Sequence, residues 1–127
     1  MRRGHCLRRK KPEFVHDCNC SLCRKSGAIW GYFSSAGVAI SGETISFVRR
    51  DKQDPRVELH ACKTCAVTVY FKFTPSIIAQ NPMLDQIGVN TSLFSLGELK
   101  GIEMRFPDGE NWSGLGAFEY RRAPIMM

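Results

Sequence analysis

Five of the six cysteines fall in two short clusters, Cys18-Asn19-Cys20-Ser21-Leu22-Cys23 and Cys62-Lys63-Thr64-Cys65. Thiolates two or three residues apart on a turn can aim at one point roughly 2.3 Å away, the zinc–sulfur distance. A lone C-x-x-C also arises in redox pairs. A C-x-C-x-x-C followed by a second C-x-x-C is a metal pattern, and mononuclear sulfur ligation favours zinc over iron. Three thiolates from Cys18, Cys20 and Cys23 leave a tetrahedral ion one open position, the condition for catalysis rather than for a closed structural site. Such an ion could bind an incoming thiol and lower its pKa, or polarise a carbonyl oxygen as a Lewis acid. Three thiolates on Zn²⁺ carry a net negative charge, which weakens the Lewis acid and leaves thiol binding as the better role.

Around the clusters stand residues with two readings each. His16, two before Cys18, could line the site or transfer protons, though a hydrogen-bonded strand histidine is the commoner outcome. His60, two before Cys62, divides the same way between ligand and strand residue. Asp17 could orient His16 or Arg24. Ser21 could donate to a cysteine sulfur, and Gly27 could permit a tight turn after the cluster. Trp30, Tyr32, Phe33 and Trp112 read as core before they read as a substrate cage. Asn90 fits either a turn or a ligand contact. No Ser/His/Asp arrangement, phosphate-binding glycine loop or paired-carboxylate signal stands out.

The elements that must hold these residues read as short strands. Ile29–Phe33 is aromatic and β-prone; Val38–Ile40 and Ile45–Val48 flank Ser41-Gly42-Glu43, which predicts a hairpin. Arg56–His60 enters the second cysteine cluster as a strand. Val67, Val69, Phe71 and Phe73 leave it with period two, so Cys62-x-x-Cys65 should occupy a hairpin turn, the usual zinc-knuckle geometry. Thr74-Pro75 predicts a short helix through Gln80, capped by the threonine. Ile87–Phe94 and Ile102–Phe106 read as strands, with a helical turn over Gly97–Lys100 between them. The expected class is mainly β.

The chain of 127 residues is long enough for one hydrophobic core, with 43% hydrophobic and 24% charged residues. A single domain over residues 1–127 is expected, with residues 1–12 a basic segment that need not be ordered. No apolar run reaches membrane-spanning length and no secretory leader is visible, which predicts no membrane association and a cytoplasmic location where thiols stay reduced. The net charge is +6, with basic runs at Arg2-Arg3 and at Arg8-Arg9-Lys10-Lys11. Such a balance suits an anionic small molecule, a nucleic acid or plain solubility. Aromatics do not interleave with these charges as a base-stacking platform requires, so a nucleic-acid partner is disfavoured.

Cys18-Asn19-Cys20-Ser21-Leu22-Cys23-Arg24-Lys25-Ser26-Gly27-Ala28 resembles the signature of the glutathione-dependent formaldehyde-activating enzyme family, which includes centromere protein V-like proteins. Three later segments resemble that family in the same order: His60-Ala61-Cys62-Lys63-Thr64-Cys65, Gly88-Val89-Asn90-Thr91-Ser92-Leu93 and Phe106-Pro107-Asp108-Gly109-Glu110-Asn111-Trp112. The likeness spans Phe14 to Trp112. It implies a β-tent of antiparallel sheets with cysteine-rich zinc-binding turns, a catalytic zinc on Cys18, Cys20 and Cys23, and a structural zinc using Cys62 and Cys65.

That structural site also takes an early C-x-C in the family. Here only Cys6 is present, with Arg8 where its partner would stand. The second site is then Cys6, Cys62 and Cys65 with His5 or His60 as fourth ligand, or it is empty. A third arrangement groups Cys62 and Cys65 with two sulfurs of the first cluster. The implied activity is that of a zinc-dependent carbon–sulfur lyase handling a glutathione–aldehyde adduct of the S-hydroxymethylglutathione type, or a similar small thiol. Arg24, Lys25, Arg49 or Arg50 would meet its carboxylates. The alternative is a non-catalytic zinc module that binds a protein or nucleic-acid partner.

Overall fold

Alternating apolar residues and turn signals produce ten short strands, β1 (Cys6–Arg8), β2 (Phe14–His16), β3 (Trp30–Phe33), β4 (Val38–Ile40), β5 (Thr44–Phe47), β6 (Val57–Cys62), β7 (Thr68–Phe73), β8 (Ile87–Asn90), β9 (Glu103–Arg105) and β10 (Ile125–Met126). Among the described residues three short helices interrupt them: α1 (Ser21–Ser26), α2 (Pro75–Gln80) and α3 (Leu96–Leu99). The structure, a computed structural model, describes residues 11–114 and 116–127 together with the backbone of β1. The expectation of a loosely ordered 1–12 segment lies largely outside the described residues, although Cys6–Arg8 form a strand. Among the described residues no helix is long and apolar enough to cross a membrane.

Eight strands make one sheet in the order β10-β9-β2-β3-β8-β7-β6-β5, and β1 and β4 pair separately. The mainly β class is as expected. Every pairing is antiparallel except β2 with β9, which run parallel with Phe14 opposite Glu103 and His16 opposite Arg105. The large sheet is therefore mixed.

Three local expectations are corrected. Val38–Ile40 and Ile45–Val48 do not form a hairpin: β4 pairs with β1 and β5 pairs with β6, so Ser41-Gly42-Glu43 carries the chain between sheets. The β6 strand offers β5 a ladder from Thr44↔Cys62 to Phe47↔Leu59, a longer partner than the three-residue β4. The strand expected through Phe94 stops at Asn90, whose side chain accepts from Ser92 N at 3.1 Å and starts a 3-10 turn. Thr74 precedes α2 but does not cap it, because its hydroxyl donates to the Pro55 carbonyl at 2.9 Å instead.

Strand alternation divides the buried side chains between the two faces of the sheet. One apolar cluster joins Ala28, Trp30, Leu59 and Phe71, with Tyr32, Val57 and Phe73 against it. The other joins Val15, Leu99 and Ile102, with Met104 and Phe94 alongside. Gly88 stands opposite Phe71 in the ladder, and a Cβ there would lie 2.0 Å from the Phe71 ring. Only glycine lets that ring lie across β8.

Candidate metal centre

The first cysteine cluster wraps the start of a helix rather than a simple turn. Cys20 is the N-cap of α1 in extended conformation, and its sulfur accepts from Cys23 N at 3.3 Å, the place usually taken by a serine or aspartate oxygen. Gly27 ends the helix in the left-handed region at φ 71° and returns its N–H to the Cys23 carbonyl, so the expected tight turn is the helix C-cap. Cys18 accepts from Cys20 N at 3.5 Å, and Trp30 donates its indole N–H to Cys23 Sγ at 3.3 Å. Each sulfur thus has an N–H aimed at it, an arrangement that stabilises negative charge on sulfur.

The three sulfurs lie within 4.8 Å of one another, and among the described residues this is the one group of three or more candidate ligands. Sulfurs on a tetrahedral zinc stand roughly 3.8 Å apart, so the group fits such an ion with little movement. As thiols the three interact strongly. Cys20 is held far below the usual thiol range because Cys18 and then Cys23 donate to it. Cys23 is pushed up by the same contacts and by burial, and Cys18 is raised by its contact with Cys20. One sulfur takes the negative charge at the expense of the other two, the state expected where a cation is needed before all three can ionise.

A second segment closes on the cluster from far along the chain. Gly109 sits so near that a Cβ would lie 2.4 Å from Cys18 Sγ and 3.2 Å from Cys20 Cβ. Asn19 donates to Asp108 at 2.9 Å and accepts from Glu110 N at 2.9 Å, and Asp108 also holds Asn111 at 2.9 Å. The residue between two cysteines is therefore the latch to the Asp108–Asn111 loop. The roles of Asn19 and Gly109 are not legible in the sequence, since they depend on contacts such as Asn19–Asp108 between residues 89 positions apart.

The cluster lies in the wall of a cavity of about 990 Å³. Its floor is the sheet face carrying Phe14, His16, Trp30, Tyr32, Leu59 and Phe71. Trp30, Tyr32, Phe33 and Trp112 all line this cavity; Trp30 and Phe33 are buried and Tyr32 packs against the Trp30 cluster, so these three serve as both core and wall, whereas Trp112 is half-buried and serves as wall. His16 is 6% exposed, pairs through Nδ1 with the Tyr32 hydroxyl at 3.1 Å, and has no partner at Nε2 among the described residues. Burial, followed by the Arg105 charge, lowers its pKa to about 4, so the ring is neutral at pH 7. Burial also pushes the Tyr32 hydroxyl above the normal phenol range.

The remaining candidates divide clearly. Arg49 reaches the cluster loop, donating to Ser21 Oγ at 2.8 Å, so Ser21 accepts from an arginine rather than donating to sulfur. Arg24, Lys25 and Arg50 are exposed and lie outside the cavity wall. Asp17 does not orient His16 or Arg24 through any contact in the structure; its backbone carbonyl accepts from Arg121. Asn90 serves backbone, accepting from Ile29 N at 3.3 Å and donating to the Thr68 carbonyl at 2.8 Å.

Cys62 and Cys65 occupy the β6–β7 hairpin turn as expected, with Ala66 at φ 67° after them. They are not brought to the first cluster, which removes the arrangement pooling sulfurs from both. Cys62 is buried and Cys65 exposed. His60 is not positioned as a ligand, because Glu58 at 2.7 Å and Thr44 at 2.9 Å engage its two ring nitrogens and Tyr70 stacks on it at 4.3 Å. The side chains of His5 and Cys6 lie outside the described residues. The strand register sets Cys6 opposite Ile40 and Cys62 opposite Thr44, on either side of the Ser41–Glu43 link.

No family model and no curated protein matches the chain. Among solved structures, a protein from Rhodobacter sphaeroides matches with a TM-score of 0.51 at 19% identity, over 72% of this chain and 78% of that one. The likeness is one of fold: this chain shares the chain path of that protein.

Proposed function

We propose that Cys18, Cys20 and Cys23 hold zinc and that the protein is a cytoplasmic carbon–sulfur lyase-like enzyme acting on a glutathione–aldehyde adduct or a similar small thiol. The observation that carries this reading is the convergence of three sulfurs in the wall of a large, aromatic-floored cavity with no fourth ligand residue joining them among the described residues. A non-catalytic zinc module would be expected to close its site with four protein ligands. A bound zinc would supply an open position that takes a thiol sulfur and favours its ionised form.

The reaction joins the sulfur of a thiol to the carbon of an aldehyde, and the thiol proton ends on the former carbonyl oxygen; the lyase direction reverses both changes. The chain's own groups fit such an adduct. Indole and backbone N–H groups hold negative charge on the cysteine sulfurs. Neutral His16 lines the cavity with the Tyr32 hydroxyl fixing its ring, and its buried Nε2, without a partner among the described residues, would need only a small ring movement to hydrogen-bond the hydroxymethyl oxygen. The aromatic floor excludes water from a reactive aldehyde. Support also comes from the resemblance, since its first and last motifs meet through Asn19–Asp108 and Cys18–Gly109.

Metal content and exchange kinetics test the reading together. Cys20→Ser is expected to remove the ion from the first site, measured as zinc per chain on purified protein. The wild type should accelerate NMR exchange between formaldehyde and its glutathione adduct beyond the spontaneous rate in a protein-free control. Unchanged zinc in Cys20→Ser would sink the metal assignment. No acceleration at full zinc occupancy would sink the enzymatic one.

A further inference from the structure

The eight-strand sheet ends in two different edges. At one end lies β10, two residues long, and a short edge strand is one device by which a fold avoids pairing with another chain. At the other end lies β5, which carries none of the usual devices. Thr44 to Val48 reads Thr-Ile-Ser-Phe-Val, with no charge and no proline, and its ladder with β6 runs without a bulge. Ile45 is 56% exposed, Phe47 50% and Val48 36%.

The ladder also fixes which main-chain groups are open. Lys63 N donates to the Glu43 carbonyl at 3.1 Å, one step beyond the Thr44↔Cys62 pair. Hydrogen-bonded and non-bonded pairs alternate along an antiparallel ladder, so Glu43, Ile45 and Phe47 turn their main-chain groups toward β6. Thr44 and Ser46 turn theirs outward, to an edge where no strand among the described residues pairs. The side chains of Ile45 and Phe47 share one face, and Phe47 stands opposite Leu59 of the buried core. Apolar surface thus runs from the core out to an open edge.

The segment complements itself. In an antiparallel pair centred on Ser46, that residue meets the partner's Ser46 and Thr44 meets the partner's Val48, both through outward main-chain groups. Ile45 meets the partner's Phe47 at the closer, non-hydrogen-bonded position, a β-branched side chain against an aromatic one. Charge matches at the ends. Glu43, with a side chain 80% exposed, precedes the strand, and Arg49 and Arg50 follow it. Arg50 is exposed and in no ion pair among the described residues. An antiparallel copy brings each acidic end to a basic end, whereas a parallel copy would set Glu43 against itself and arginines against arginines. Such a contact is isologous and closes on two chains. We propose that a second copy of this chain pairs along β5, antiparallel and centred on Ser46, joining two eight-strand sheets into one.

Sedimentation of the purified full chain in reductant tests this across protein concentrations from about 1 μM to 1 mM. The mass should rise from 14.3 kDa toward twice that value. Ser46→Pro removes the N–H that faces the open edge and leaves the β5–β6 ladder its donors. It should raise the dimer dissociation constant at least about tenfold, since two hydrogen bonds are lost at the two-fold axis. Ser46→Ala, which keeps the N–H, should dimerise like the wild type. Melting temperatures, measured alongside, identify folded variants. Amide exchange of the wild type needs no variant: Thr44, Ser46 and Val48 should be protected only at high concentration, and Ile45 and Phe47 at every concentration. A wild type that stays monomeric throughout overturns the proposal, even if another protein binds this edge. A dimer whose Thr44 and Ser46 amides gain no protection overturns it equally.

Discussion

Gly109 and His16 show how much a single position determines at this site. A methyl group on Gly109 would meet Cys18 Sγ at 2.4 Å, and the sulfur is one of the proposed ligands, so it cannot yield without leaving the cluster. Gly109→Ala is expected to weaken metal binding by about 10- to 100-fold, the usual scale for disturbing a ligand's support, and to cost about 1–3 kcal/mol of stability from overpacking. Competition with a chromogenic chelator and chemical denaturation measure the two effects separately. His16 acts through protonation. The unfolded chain binds a proton at this imidazole near pH 6.5, while the folded protein resists until about pH 4. Stability is therefore complete above 6.5 and is lost as pH falls toward 4, by up to about 3 kcal/mol. His16→Gln should lose less stability than the wild type over that window in denaturant titrations at matched pH values.

At the scale of elements, the cluster's local structure depends on one sulfur with two duties. Cys20 caps α1 and belongs to the three-sulfur group. Serine caps a helix well, whereas alanine cannot cap at all. Cys20→Ser should keep metal-free stability near that of the wild type, while Cys20→Ala should cost about 1 kcal/mol more; thermal melts in chelator resolve the pair. The helix was not legible in advance because Cys is a rare cap and six residues carry no useful periodicity. The alternation in Val67–Phe73 was legible, and it places Val69 and Phe71 in the core and the second cysteine pair in a hairpin turn. Hairpin logic misled at Ser41–Glu43, where turn chemistry is real but the strands on either side choose different partners. Local signals fix where a chain bends and say less about what it bends toward.

Across the whole molecule, the mainly β class and the three-cysteine group were visible in residue types and spacing alone. The cavity was not, because its floor draws one or two residues from each of β2, β3, β6 and β7 and its far wall from Arg56 and Trp112. Nor was the parallel pairing of β2 with β9, which no adjacent pattern announces. That pairing has a consequence for the order of assembly. The cysteines of the first cluster are made early, yet β9, which pairs with the strand before them, and the Asp108–Asn111 latch, which closes on them, are synthesised some ninety residues later. Contacts of such sequence separation form slowly, since a long loop must close before they contribute. During translation, three thiols therefore stand in the open on an unfinished chain, able to take a wrong metal or an oxidant. If the cluster holds zinc as proposed, correct loading competes with oxidation until the Asp108–Asn111 latch arrives.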